Sequence, residues 1–150
     1  MNILSTEFIT HSSAETIEVG KIIGKMLRGG DIIAFKGGLG AGKTTITHGI
    51  ALGMGLRDDV SSPTFAIVNE YIGDKISLCH FDMYRISADE LESIGFYDYL
   101  TDDRVLAIEW SENIAEELPE GVITIEILRT GENDRKIIVT GDERFDDIGA

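Results

Sequence analysis

The sequence predicts one α/β domain, and three stretches predict it. Residues 31–36 are an apolar run of strand length that passes through a glycine-rich loop into a helical stretch ending at Gly53. Residues 104–108, Arg-Val-Leu-Ala-Ile, are a compact, β-branched apolar run with the composition of a central strand. Residues 65–72 and 75–81 are two further β-type runs joined by Gly73-Asp74, which reads as a hairpin. At 150 residues the chain suits a single domain with room for a real core.

Taken in order, residues 3–9 suit a short edge strand. Ser12 and Glu15 have the spacing of a capping box and open a helix to about Leu27, with Ile17, Gly20, Ile23, Gly24 and Leu27 on one face. Arg28-Gly29-Gly30 ends it. Beyond Gly53 a polar connection leads to Val60-Ser61-Ser62-Pro63-Thr64-Phe65, where Pro63 biases Ser62 toward an extended or turn conformation. Gly73-Asp74 suits a type II′ or longer turn better than type I′. Ser87 and Glu90 form a second capping box, predicting a helix through Ile94 that Gly95 stops, with one more helical turn over 97–100. The central strand ends in Glu109-Trp110. A short helix over 111–117 is closed by Pro119, and residues 122–128 and 135–139 form a terminal hairpin. The tail from Gly141 is polar and acidic and is expected to be loosely ordered.

Charge narrows the function. A net charge of −14 leaves no basic footprint for autonomous nucleic-acid binding. The lone Cys79 lies in an apolar run and reads as a buried, inert thiol. No secretory signal opens the chain and no run approaches a membrane span, so a cytoplasmic protein is expected.

Gly37-Gly38-Leu39-Gly40-Ala41-Gly42-Lys43-Thr44 reads G-x-x-x-x-G-K-[ST], flanked by the strand and helix that this pattern requires. Glycines let the backbone curl so that several N–H groups face phosphate oxygens, and the helix N-terminus adds partial positive charge. Lys43 would reach the β/γ-phosphates, and the Thr44 hydroxyl would serve Mg²⁺, which prefers oxygen ligands. A nucleoside triphosphate is the expected ligand. Such a site needs a second carboxylate at the end of a buried strand. Glu109 is placed for that, an ordinary strand-terminal glutamate being the alternative. Thr64 is spaced for a nucleotide-sensing loop, with a plain Ser-Pro turn as the alternative. His80, Asp82 and Tyr84 have the period-2 spacing of one strand face. Asp82 could orient a water and Arg85 could contact phosphate, against the alternative of a structural salt bridge. Two ligand types at His80 and Asp82 do not make a transition-metal site. Trp110, the single tryptophan, suits either a base or partner contact or plain packing.

Together these motifs resemble one family. Gly37 to Thr45, Val60-x-Ser62-Pro63-Thr64-Phe65, His80-Phe81-Asp82-Met83-Tyr84-Arg85 and Ile108-Glu109-Trp110-x-Glu112 are similar, in order and spacing, to the TsaE (YjeE) family of bacterial ATPases. The resemblance runs from about residue 8 to about residue 140. It implies a P-loop NTPase-like domain with a mixed central sheet flanked by helices and a β-hairpin insertion. It also implies an ATPase, weak by itself, needed for threonylcarbamoyladenosine in tRNA and working with the TsaD and TsaB proteins, which would be the ones to hold the tRNA. Carried over by position, Lys43, Thr64, Asp82 and Glu109 are the expected catalytic residues, and Thr44 and Glu109 the expected Mg²⁺ residues. Gly38, Leu39, Gly40, Ala41, Gly42, Lys43, Thr44, Thr45 and Trp110 are expected at the nucleotide, with Ser12 and Arg135 approaching it. Gly38 departs from the acidic residue common in the family, which removes one loop charge and leaves the backbone cradle intact.

Two other classes compete. A small-molecule kinase would need an arginine-rich lid, and the eight Lys and Arg residues after Lys43 are too scattered to suggest one. A nucleotide-gated binding module would use the same loop with hydrolysis incidental.

Overall fold

Strand alternation sorts the apolar residues onto two faces of one sheet, and each face has its own cover. The computed structural model describes residues 4–37, 41–56, 60–61 and 68–145. Its strands are β1 (Leu4–Thr10), β2 (Ile32–Lys36), β3 (Val60–Ser61), β4 (Val68–Tyr71), β5 (Ser77–Asp82), β6 (Arg104–Glu109), β7 (Ile123–Arg129) and β8 (Arg135–Gly141). Helix α1 spans Ser13–Met26 and α2 spans Lys43–Gly53. Among the described residues the strands form a mixed sheet in the order β1-β8-β7-β2-β6-β5-β4-β3. The centre, β7-β2-β6-β5, is parallel, and antiparallel pairs extend it at both ends. Parallel strands buried on both faces are the setting that the apolar runs of β2 and β6 require.

Ile33, Phe35, Val105 and Ala107 point to the face covered by α1 and α2, against Val19, Ile23, Ile46 and Ile50. Their neighbours Ile32, Leu106 and Ile108 point to the other face, with Cys79, Phe81, Met83, Leu91, Phe96 and Ile114. The helical segments expected after β5 and β6 form as short 3₁₀ pieces at Ala88–Glu90, Phe96–Tyr99 and Ser111–Glu117, the first of them stopping well before Ile94. The Ser87–Glu90 capping box forms as expected, yet i→i+3 bonding and turns carry the chain on to the left-handed Gly95. Ile114 at φ −129° breaks the segment after β6. Only a few apolar side chains per segment reach the sheet, and a helix this short gains little from further turns.

The opening helix starts as its sequence requires. Ser12 Oγ accepts from Glu15 N–H at 3.1 Å, while the Glu15 carboxylate accepts from His11 N–H at 2.8 Å, one residue earlier than a regular capping box. Helices α1 and α2 meet through glycines. A Cβ on Gly20 would stand 2.6 Å from the Ile46 carbonyl oxygen, and one on Gly24 would run into that of Ile50. Because both obstacles are backbone, the helices must separate to admit a methyl group. Overpacking of this kind costs up to about 3 kcal/mol, against ~1 kcal/mol gained in helix propensity. Gly24→Ala should therefore lose about 2 kcal/mol of stability by that balance, read as a lower urea midpoint at unchanged m-value.

The β4–β5 and β7–β8 hairpins both form, the first with Val68 opposite Phe81 and a connection longer than two residues. The tail departs from its expected looseness as far as it is described. Phe145 is fully buried, and Arg144 donates to both oxygens of Asp31 at 2.8 and 3.0 Å, which ties residues 142–145 to the start of β2. No helix of the described residues is long and apolar enough to cross a membrane.

Candidate active site

Strand β2 delivers the chain to Gly37, whose φ of +143° and whose approach to the Ile127 carbonyl exclude a side chain. The chain re-enters at Ala41 and turns through left-handed Gly42 (φ +111°) into α2. The first residue of α2 is Lys43, only 7% exposed. Its Nζ donates to Gly37 O at 3.1 Å, so the ammonium folds back toward the end of β2. Thr47 Oγ1 donates to Lys43 O at 2.7 Å and holds the first turn from below.

Across the sheet, β6 ends at Glu109 on the α2 side, in phase with Val105 and Ala107. Glu109 Oε1 lies 3.6 Å from Lys43 Nζ, longer than a charge-assisted hydrogen bond. The other oxygen, Oε2, lies 2.6 Å from His80 Nε2, a close polar contact without the alignment of a regular hydrogen bond. The register explains this contact. Parallel β5 and β6 pair His80 with Ala107 and Asp82 with Glu109, so His80 is the diagonal neighbour of Glu109 on the same face. Burial works to raise the Glu109 pKa, but the His80 ring and the Lys43 ammonium outweigh it and hold the carboxyl below its ordinary value. Glu109 is thus an anion kept in a half-buried site.

Trp110 follows with φ +59°, the single non-glycine residue at positive φ among those described. That conformation costs a β-carbon residue roughly 1–2 kcal/mol, and it turns the chain sharply off the sheet. The Trp110 ring lies 5.5 Å from Lys43 Nζ and 4.9 Å from the ring of Tyr84. Phe35, Lys36, Gly37, Lys43, Trp110 and Glu112 line a cavity of about 300 Å³, large enough for part of a nucleotide. On the other flank of the α2 N-terminus a smaller pocket, about 40 Å³, gathers Ser12, Thr16, Gly42, Thr45, Asn133 and Arg135.

The structure thus brings together Ser12, Gly42, Thr45 and Arg135 on one side of the loop, and Lys43, Glu109 and Trp110 on the other. Arg135 Nε donates to Ala41 O at 2.8 Å, and its NH1 holds the carbonyls of Gly131, Glu132 and Asp134. Thr44 is exposed on the first turn of α2. Asp82 ends β5 beside Glu109, and its Oδ1 accepts from Tyr84 N–H at 3.0 Å. The strand stops there, so Tyr84 does not continue the shared face that period-2 spacing suggested. Gly38, Leu39, Gly40 and Thr64 lie outside the described residues. No group of three His, Cys, Asp or Glu side chains is arranged to hold a metal ion among the described residues.

Sequence reasoning singled out His80 without finding its partner. The signal was there: His80 and Glu109 each lie on the α2-facing phase of a central strand. Asn113, which donates to Met83 O at 2.7 Å and braces the turn after Asp82, carried no such signal. Nor did the pair His11 Nδ1–Asp134 Oδ1, at 2.9 Å, which ties the β7–β8 turn to the start of α1. Hydrogen bonding and charge from Asp134 raise the His11 pKa above 6.5. A raised folded pKa means that the tie contributes fully below 6.5 and is lost as pH rises through the folded value. An NMR titration should find His11 above 6.5, and Asp134→Asn should bring it down; identical midpoints in both proteins would refute the contact.

The chain is similar to known proteins over most of its length. The family model described as threonylcarbamoyl adenosine biosynthesis protein TsaE matches residues 10–137. The tRNA threonylcarbamoyladenosine biosynthesis protein TsaE of Bacillus subtilis is 39% identical over 87% of this chain and 82% of its own length. The protein of that name from Streptomyces coelicolor is 42% identical over 83% of this chain and 88% of its own. The crystal structure of Bacillus subtilis YdiB superposes with a TM-score of 0.77 at 31% identity, covering 94% of this chain and 88% of that one. A match that spans the loop, the His80–Arg85 turn and the Glu109–Trp110 strand end, on a shared fold, makes this chain a member of the TsaE family.

Proposed function

We propose that this protein is a Mg²⁺-dependent ATP-binding subunit and weak ATPase of the tRNA threonylcarbamoyladenosine pathway, acting in a complex with TsaD and TsaB. The observation that carries the proposal is the Lys43–Glu109 pair at the N-terminus of α2, a buried cation and an ionised carboxylate 3.6 Å apart. The names of the relatives support the pathway.

Loop amides and the α2 N-terminus would bind the phosphates. Lys43, already desolvated, would transfer its contact from Gly37 O to phosphate oxygens at little ordering cost. Mg²⁺ takes few protein ligands and keeps waters, and the donors here fit it: Glu109 is anionic and partly open, and the Thr44 hydroxyl is exposed beside the loop. A bound ion would neutralise phosphate charge. Asp82, at the neighbouring strand end, is the group proposed to orient the water, and Trp110 would close the cavity over Lys43. Thr64 is proposed as the nucleotide-sensing residue on its sequence position alone. With a net charge of −14, tRNA contact is assigned to the partners.

The test is ATP hydrolysis by the purified chain, alone and with TsaB and TsaD added. Slow turnover alone with strong stimulation by the partners is the expected result. Neither binding nor stimulation would sink the proposal, and phosphate transfer to a nucleoside would favour a kinase instead.

A further inference from the structure

We infer that His80 is a positioning residue that divides the labour of the two Glu109 oxygens, and the inference rests on the ATP-site reading above. The two contacts on the carboxylate are unequal. Oε2 meets His80 Nε2 at 2.6 Å, while Oε1 stands 3.6 Å from Lys43 Nζ. An unrestrained glutamate beside a buried lysine would close to a charge-assisted distance of roughly 2.8 Å. A closed pair would neutralise the two charges against each other before any phosphate or metal arrived. His80 anchors one oxygen and so keeps the pair open.

The histidine is suited to the task. It is 8% exposed, it stands on a central strand, and its ring meets Phe35 edge-on at 6.3 Å, so it has little freedom to follow the carboxylate elsewhere. Its backbone position is fixed by the β5–β6 register, which sets His80 opposite Ala107, whose small side chain leaves the diagonal to Glu109 open. The contacts described for the His80 ring are with Glu109 and Phe35, so it acts on the site through Glu109.

The test compares wild type with His80→Ala and His80→Gln, reading ADP and ATP binding from the fluorescence of Trp110 at varied Mg²⁺ and in EDTA. Losing one contact to a charged group should raise the half-saturating Mg²⁺ about tenfold in His80→Ala. Binding in EDTA should fall less, by only a few-fold, because the closed pair withdraws Lys43 in part while the loop amides are untouched. His80→Gln keeps an N–H donor of similar reach and should recover most of the loss. A purely structural role would lower thermal stability and weaken both binding modes to the same extent, and that pattern would overturn the inference. So would a Mg²⁺ titration of His80→Ala that matches wild type. If the wild-type chain itself binds no nucleotide, the ATP-site reading fails and this inference with it. Failure confined to the His80 variants removes only the inference.

Discussion

Lys43→Ala is expected to abolish tight nucleotide binding. The ammonium is a buried positive side chain between the end of β2 and the start of α2, and it is aimed there by its bond to Gly37 O and by the partly open Glu109 pair. A hydrogen bond between charged groups contributes about 1.5–3 kcal/mol. Two such contacts to phosphate oxygens therefore place the loss of ATP affinity at roughly 100-fold or more. Alanine also leaves Glu109 without its cation at the helix start, so a thermal melt belongs beside the binding curve. Calorimetry with ATP and Mg²⁺ reads the effect. An affinity unchanged from wild type would remove Lys43 from the phosphates, and with it the geometry of the whole site.

Glu109→Gln separates binding from turnover. Glutamine keeps the shape and can still face His80, but it carries no charge next to Lys43. ATP binding should survive within a few-fold, because the amide cradle and Lys43 remain. Hydrolysis in the presence of TsaB and TsaD should fall by roughly 100-fold or more, the usual scale for removing one charge-stabilising group from an active site. Assembly of the variant with the proposed partners, measured apart from tRNA modification, then separates the ATPase from the nucleotide-gated binding module. Persistent assembly with lost modification would mean that hydrolysis matters beyond docking. Full modification by the variant would make hydrolysis incidental.

Much of the site is local in origin, which is why it was legible early. A glycine loop between a strand and a helix is one continuous segment, and the identity of Lys43 and Thr44 follows from their offsets along it. Glu109 could be picked out because a β-branched run of strand length announces its own end. The helix expected over residues 87–94 stops short for a related reason, whereas the short helix over 111–117 forms as a kinked 3₁₀ segment. Capping signals such as Ser87 and Glu90 are local and formed, but helix continuation depends on how much apolar surface the next turn can bury. Here the second face of the sheet offers room for Leu91, Phe96 and Ile114 and little more.

By itself the sequence determined the α/β class, the phosphate-loop segment, the central strand with its terminal carboxylate and both hairpins, because each is written in residues close along the chain. Only the tertiary structure decided which groups meet. Strand order puts β6 between β2 and β5, and the β5–β6 register then sets His80 against Glu109 across 29 residues of chain. The same holds for Arg135, which reaches the Ala41 carbonyl 94 residues away because β7 lies beside β2 and β8 returns from it. Periodicity tells which face a side chain takes. It carries no information on which strand lies next to it, since that choice is made by the packing of the whole sheet between its two covers.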